Sequence, residues 1–251
     1  MPYVYIVKPM WSATPSNVPL PPPLVQPESP TLVLLGDTNT GKTSSALYYI
    51  TGQSSPTTAS TKERRHRKTL TRRAFATTDH KGSTGSKGSK NENSPETITI
   101  EIVDTSGSWE RVSPMRGTYH KTADAFALFY SVYDNDTWLR MVREYMDIVS
   151  SATGPHQTPP ILVIGTFHSY SPLRVRKVSR QQARDFSFRH HVPMMEVDLS
   201  QGVDIIHAYD QIVRRMISEW TKRTESAKAP IQVHTNHGKW TRKLQKLCCC
   251  S

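Results

Sequence analysis

Cysteine is nearly absent: three residues, Cys248, Cys249 and Cys250, stand side by side one position from the end of a 251-residue chain. No disulfide framework can form within the fold, which suits a reducing compartment. No stretch approaches the ~20 apolar residues that span a bilayer. The opening MPYVYIVKPMWS lacks the apolar core and small-residue cleavage site of a secretory signal. Acidic residues are also scarce, 21 against 32 Lys and Arg, and the resulting net charge of +11 calls for an anionic partner: nucleic acid, an acidic membrane surface or an acidic protein.

That charge is not spread evenly. Residues 62–90 carry +8 and residues 225–251 carry +4, which leaves the rest of the chain at −1. The basicity belongs to two segments rather than to the body. Aromatic residues are few in the first of them, where Phe75 alone is available for stacking on a base, so nucleic acid is not the expected partner. Residues 1–30 hold nine prolines and read as an extended or disordered arm. Residues 79–95 (DHKGSTGSKGSKNENSP) are polar and of low complexity, and read as a flexible loop.

Between these lies an alternation of strand and helix signals. Thr31–Leu35 is a short apolar run fit for a buried parallel strand, and Ser44–Thr51 a helix offering Ala46, Leu47, Tyr49 and Ile50 to a core. Strand patterns recur at Thr97–Val103, Ala125–Tyr130, Ile161–Ile164 and Met194–Val197, with helical patterns at Thr137–Ser150 and Ser179–Arg189. A last helix, Val203–Trp220, places Ile206, Tyr209, Ile212, Val213, Met216 and Trp220 at three- and four-residue spacing. The order predicts an α/β fold with a doubly wound, mainly parallel sheet, in which ligands bind at the carboxyl ends of the strands.

Gly36-Asp37-Thr38-Asn39-Thr40-Gly41-Lys42-Thr43 fits the phosphate-binding pattern G-x-x-x-x-G-K-[ST], with a strand before it and a helix after it. Backbone amides and the helix N-terminus there favour phosphate. Lys42 is placed to reach the β- and γ-phosphates and the Thr43 hydroxyl to ligate Mg2+. Asp104-Thr105-Ser106-Gly107 follows the Thr97–Val103 strand. Its Asp104 is the candidate support for Mg2+, and the Gly107 amide the candidate sensor of a γ-phosphate.

With these motifs in place, the chain resembles the Ras superfamily of small GTPases over about Thr31–Arg223. The run Ser113–Phe126 (SPMRGTYHKTADAF) looks like the S-x-M-R-x-x-Y-x-[RK]-T-G-x-G-F of Ras-subfamily proteins, and Glu196–Ser200 resembles the family's base-contacting E-T-S-A loop, about two residues short. The resemblance implies a P-loop G domain at 31–223, binding GTP or GDP with Mg2+, and partners of the exchange-factor and effector kinds. It brings Asp198 and Leu199 to the base. The guanine-reading N-K-x-D aligns with Thr166-Phe167-His168-Ser169, so a neutral Ser169 stands where a carboxylate accepts hydrogen bonds from guanine, and guanine selectivity is expected to fall. Phe167 either stacks on the base or fills the core.

Other departures concern catalysis. The family's water-orienting glutamine aligns with Ser108. The two phosphate-loop glycines, of which the first makes room for an activating arginine, align with Thr38 and Asn39. An arginine finger is worth ~10³–10⁵ in rate, so hydrolysis is expected to be slow and poorly stimulated. The first-switch threonine, which closes on Mg2+ and the γ-phosphate, aligns best with Thr57, with Thr58 and Thr61 as alternatives. Beyond it, where the family keeps an acidic effector strand, stands Lys62-Glu63-Arg64-Arg65-His66-Arg67-Lys68. This is either a solvated charge run or an inverted surface that repels basic partners and favours acidic partners or anionic lipid.

Cys248-Cys249-Cys250-Ser251 has the C-a-a-X frame with Ser last, behind Lys239, Arg242, Lys243 and Lys246. A lipid on Cys248 plus the basic patch makes a two-signal anchor at the cytoplasmic face of a membrane, the plasma membrane in this reading. Palmitoylation of Cys249 and Cys250 is the competing route. The expected molecule is a monomer with a proline-rich arm at 1–30, a G domain and a basic tail at 224–251.

Overall fold

A computed structural model describes residues 29–54, 62–71, 97–152, 158–169 and 173–228. The proline-rich arm up to residue 28, Thr57, Thr58, Thr61, the 79–95 segment and the tail with Cys248 lie outside the described residues.

The element order is β1 (Thr31–Gly36), α1 (Lys42–Thr51), β2 (Arg64–Thr71), β3 (Thr97–Asp104), α2 (Trp109–Thr122), β4 (Ala125–Ser131) and α3 (Asn135–Arg140). A π-helical turn (Met141–Tyr145) then joins α3 to α4 (Met146–Ala152), followed by β5 (Ile161–Phe167), α5 (Arg180–His190), β6 (Met194–Asp198) and α6 (Gly202–Lys228). The strands form one sheet in the order β2-β3-β1-β4-β5-β6. Every pairing is parallel except β2–β3. This is the doubly wound α/β architecture that the strand–helix alternation predicts.

Because successive strand side chains point to opposite faces, β1 feeds two cores. Leu32 and Leu34 join Ala46 and Tyr49 of α1 and Tyr209, Ile212, Val213 and Met216 of α6 on one face. Val33 and Leu35 join Val112 and Tyr119 of α2, Trp138, Tyr145 and Ile148 of the α3–α4 segment and Phe186 of α5 on the other. A strand buried on both sides must be apolar throughout, and all six residues of β1 are buried.

Two elements depart from that logic, and both lack a legible pattern. β2 is the edge strand, mostly exposed and rich in Arg and Lys, a composition that protects edges from unwanted pairing. Its strand character comes from eight register pairs with β3, Arg64↔Asp104 through Thr71↔Thr97, and from Lys68, whose ammonium bonds the Tyr49 carbonyl and lies 3.7 Å from the Tyr49 ring centroid. α2 carries Pro114 in its interior and Gly117, both poor helix formers. In α6 the buried stripe begins at Ile205, whereas Ile206 is exposed, and the helix continues past Trp220 to Lys228. In α1, Ala46 and Tyr49 are buried as expected; Ile50 is only partly buried against the core, and Leu47 is likewise intermediate. Among the described residues no helix is long and apolar enough to cross a membrane.

Candidate functional site

The carboxyl ends of β1, β3, β4, β5 and β6 meet at one edge of the sheet, under a cleft of about 880 Å3 lined by Thr38, Asn39, Lys42, Thr43, Gly107 and Leu199 among others. Its floor is the turn from β1 into α1. Gly36 lies against β4 with no room for a side chain: a Cβ there would meet the Phe129 carbonyl oxygen at 2.5 Å. Asn39 takes φ 63°, left-handed backbone that asparagine tolerates better than most residues. Gly41, at φ 83°, serves as the helix N-cap.

Lys42 folds back over this turn. Its Nζ donates to the carbonyls of Gly36 at 2.6 Å and Asp37 at 2.8 Å. Burial pushes its ammonium down to about 8, opposed by the carboxylates of Asp104 and Asp37. The Thr40 hydroxyl donates to the same Asp37 carbonyl at 2.7 Å, and Thr166 at the end of β5 donates to the Thr40 carbonyl at 3.0 Å. The turn is therefore held open from beneath by side chains of α1 and β5.

At the end of β3 the Asp104 carboxylate is buried. Its Oδ2 accepts from Thr43 Oγ1 at 2.7 Å, while its Oδ1 has no hydrogen-bond partner among the described residues. Burial raises the Asp104 carboxyl despite Thr43, Lys42, His66 and Arg64 nearby. An unsatisfied buried carboxylate oxygen beside a hydroxyl oxygen is the hard-oxygen set that Mg2+ takes. Thr43 and Asp104 thus fit the ion, which would supply neutralising charge to a bound phosphate.

Gly107 closes the other side. The Thr38 amide donates to its carbonyl at 3.0 Å, and a Cβ on Gly107 would meet Thr38 backbone atoms at 2.5 Å. Ser108 is the N-cap position of α2, and its amide donates to Ser106 Oγ at 3.2 Å.

The residues expected to face a base form a separate cluster. Asp198 is register partner to Phe167, and its Oδ1 accepts from the Ser169 amide (3.2 Å), the Ser200 amide (2.9 Å) and the Ser200 hydroxyl (2.5 Å). Burial pushes this carboxyl up, but those hydrogen bonds outweigh it and hold it below the ordinary range. Ser169 and Ser200 are joined through their hydroxyls at 3.0 Å. Leu199 leans onto the phosphate loop, 2.5 Å from where a Cβ on Gly41 would sit. Phe167 is partly buried against the second core.

A family model described as the Ras family matches residues 31–218. The chain belongs to the Ras family. Its relatives there are distant. It is 24% identical over 130 residues to the Ras-related protein Rab-7b of Bos taurus, a match covering 52% of this chain and 63% of that one. With the Ras-related protein R-Ras of Rattus norvegicus it shares 24% over 115 residues, 46% of this chain and 50% of the relative. With the Ras-related protein rapC of Dictyostelium discoideum it shares 26% over 189 residues, 75% and 60% of the two chains. These matches span less than two thirds of each relative's own length.

Within this Ras-family fold the expected residues gather as follows. Gly36 to Thr43, Asp104 and Gly107 converge on the cleft floor, and Thr166 braces it from β5. Ser169, Asp198 and Ser200 share a hydrogen-bonded cluster at its flank. The sequence did not point to Arg140 and Tyr145, which reach the loop's Asp37 from the end of α3 and from the π-helical turn after it. Nothing in their immediate sequence context marks them, because their partner lies 103 and 108 positions away.

Proposed function

We propose that this Ras-family GTPase is a Ras-subfamily-like signalling switch that binds GTP or GDP with Mg2+, hydrolyses GTP slowly and works at the cytoplasmic face of the plasma membrane. The observation that carries the nucleotide part is the floor of the cleft. Lys42 is bent over two loop carbonyls, and Thr43 is tied to an Asp104 with one oxygen unsatisfied. Lys42 and the loop amides hold phosphate, Thr43 and Asp104 hold the ion, and Thr57 closes the first switch. The hydrolysis reading is supported by Thr38, packed directly against Gly107, and by the short Ser108 side chain. Exchange factors and effectors are the expected partners, with an acidic one favoured along 62–90, and the chain acts as a monomer. Cys248 and the basic residues before it supply the anchor.

The test is the nucleotide content of the purified full chain, with and without Mg2+, read by chromatography of the released nucleotide. The expected result is stoichiometric GDP or GTP that is lost when Mg2+ is chelated. ATP would show an altered base choice.

The crowding of Thr38 and Gly107 favours one alternative, a non-hydrolysing pseudo-GTPase that serves as an interaction module. An empty site in the same experiment would establish that alternative.

A further inference from the structure

Asp37 introduces a negative charge into a loop proposed to bind anions. Its backbone carbonyl accepts from Lys42 and Thr40, so the residue is integral to the loop's shape. Its side chain turns outward and is caught twice. Arg140 Nε donates to Oδ2 at 2.7 Å, and the Tyr145 hydroxyl donates to Oδ1 at 3.1 Å. Arg140 also reaches Glu144 at 3.5 Å.

The helix is locally rebuilt to make this clamp. Arg140 and Tyr145 are five residues apart, which at 3.6 residues per turn sets them about 140° apart on an α-helix. Residues 141–145 instead form a π-helical turn, in which the Met146 amide donates to the Met141 carbonyl, five residues back. The i→i+5 pattern brings the two side chains to one face, and isolated π turns of this kind concentrate at functional sites. The turn is locked by the burial of Met141 and Tyr145 in the second core.

Electrostatics says what the clamp does. Burial raises the Asp37 carboxyl, opposed chiefly by Arg140 and also by Tyr145 and Lys42. Burial lowers the Lys42 ammonium, opposed by Asp104 and Asp37, so each of Asp37 and Lys42 lies within the other's field. The same field opposes any phosphate that Lys42 holds. Arg140 is the only cation that a side-chain hydrogen bond brings to Asp37 among the described residues.

We propose that Arg140 is a positioning and charge-compensating residue: by neutralising Asp37 it sets the affinity of the phosphate loop for nucleotide. This rests on the reading that the loop binds nucleotide phosphates. Arg140 is itself partly exposed, so an acidic partner that captures it would restore the Asp37 charge and loosen nucleotide.

The experiment measures binding of a fluorescent N-methylanthraniloyl-GDP with Mg2+ to the full chain, with melting temperatures recorded in parallel. R140Q is expected to weaken binding about tenfold or more at low salt, with the deficit shrinking as salt screens the exposed side of the pair. D37N is expected to bind more tightly than the unaltered protein, since it removes the repulsion and leaves Arg140 in place. The double substitution D37N/R140Q is expected to return affinity to within about threefold of the starting value. A merely structural brace gives the opposite pattern: D37N weakens binding, and the double variant stays as weak as R140Q. Either result overturns the proposal. If R140Q does not fold, D37N alone decides. An unaltered protein that binds no nucleotide at all overturns the underlying reading and the proposal with it, whereas binding without the pattern above overturns the proposal alone.

Discussion

At the residue scale, the proposed slow hydrolysis rests on two side chains, Thr38 and Ser108. The Thr38 backbone and hydroxyl lie against Gly107, and Ser108 stands where the resemblance expects a longer glutamine. If these two substitutions are what slow hydrolysis, restoring them together raises it. T38G/S108Q is expected to increase the single-turnover rate at least about tenfold over the unaltered chain, within the range a water-orienting side chain supplies. An unchanged rate would place the block elsewhere. Glu196 gives a pH prediction. Burial pushes its carboxyl up, but the two Arg176 hydrogen bonds at 2.7 and 2.8 Å, helped by Arg180, prevail and hold it below its ordinary 4.5. A carboxyl lowered on folding contributes stability above its unfolded value and loses it as pH falls through the folded one. E196Q is therefore expected to melt a few degrees lower than the unaltered protein at pH 7, about 1 kcal/mol for a partly exposed pair. The gap closes as the pH falls below 4.5 and on through the lowered folded-state value.

At the element scale, apolar strands and amphipathic helices were legible, whereas the basic edge strand β2 and the proline-interrupted helix α2 were not. β1, β4 and β5 announce themselves as apolar runs because helices cover both of their sides. β2 does not, because its order comes from β3 and from Lys68 on Tyr49, neither visible in Arg64–Thr71 itself. The phosphate loop was legible for a related reason: a backbone wrapped around phosphate restricts residue types at fixed spacing. The clamp on Asp37 was not, since it depends on a π turn that breaks the very periodicity by which helices are read. Close packing between neighbouring strands gives a further test. Gly165 is register partner to Tyr130, and a Cβ there would collide with the Tyr130 ring. G165A is expected to destabilise the fold by about 1–3 kcal/mol, read as a lower denaturation midpoint with unchanged slope.

At the scale of the whole molecule, charge and fold are largely separate. The last helix is tied back to the sheet's start: Arg223 pairs with Asp124, whose other oxygen accepts from the Thr31 amide at 2.8 Å. The sheet so closed has five strands of mainly apolar character and one basic edge. The net positive charge belongs to residues 62–90 and 225–251, at +8 and +4, and the rest of the chain carries −1. Each Lys or Arg near an anionic leaflet adds about 1 kcal/mol. Ending the chain at Lys228 is therefore expected to reduce binding to phosphatidylserine-containing vesicles at least about tenfold, measured by co-sedimentation. Nucleotide affinity, set within the domain, is expected to stay the same. Undiminished vesicle binding would assign the membrane contact to the β2 edge.

Asn39 has a consequence for how such chains are found. Its left-handed φ of 63° meets, without glycine, a backbone demand that glycine meets at no steric cost. A search pattern that insists on glycine there passes over this chain and any other that solves the same dihedral angle with asparagine or aspartate. What the loop requires is an angle, and more than one letter spells it.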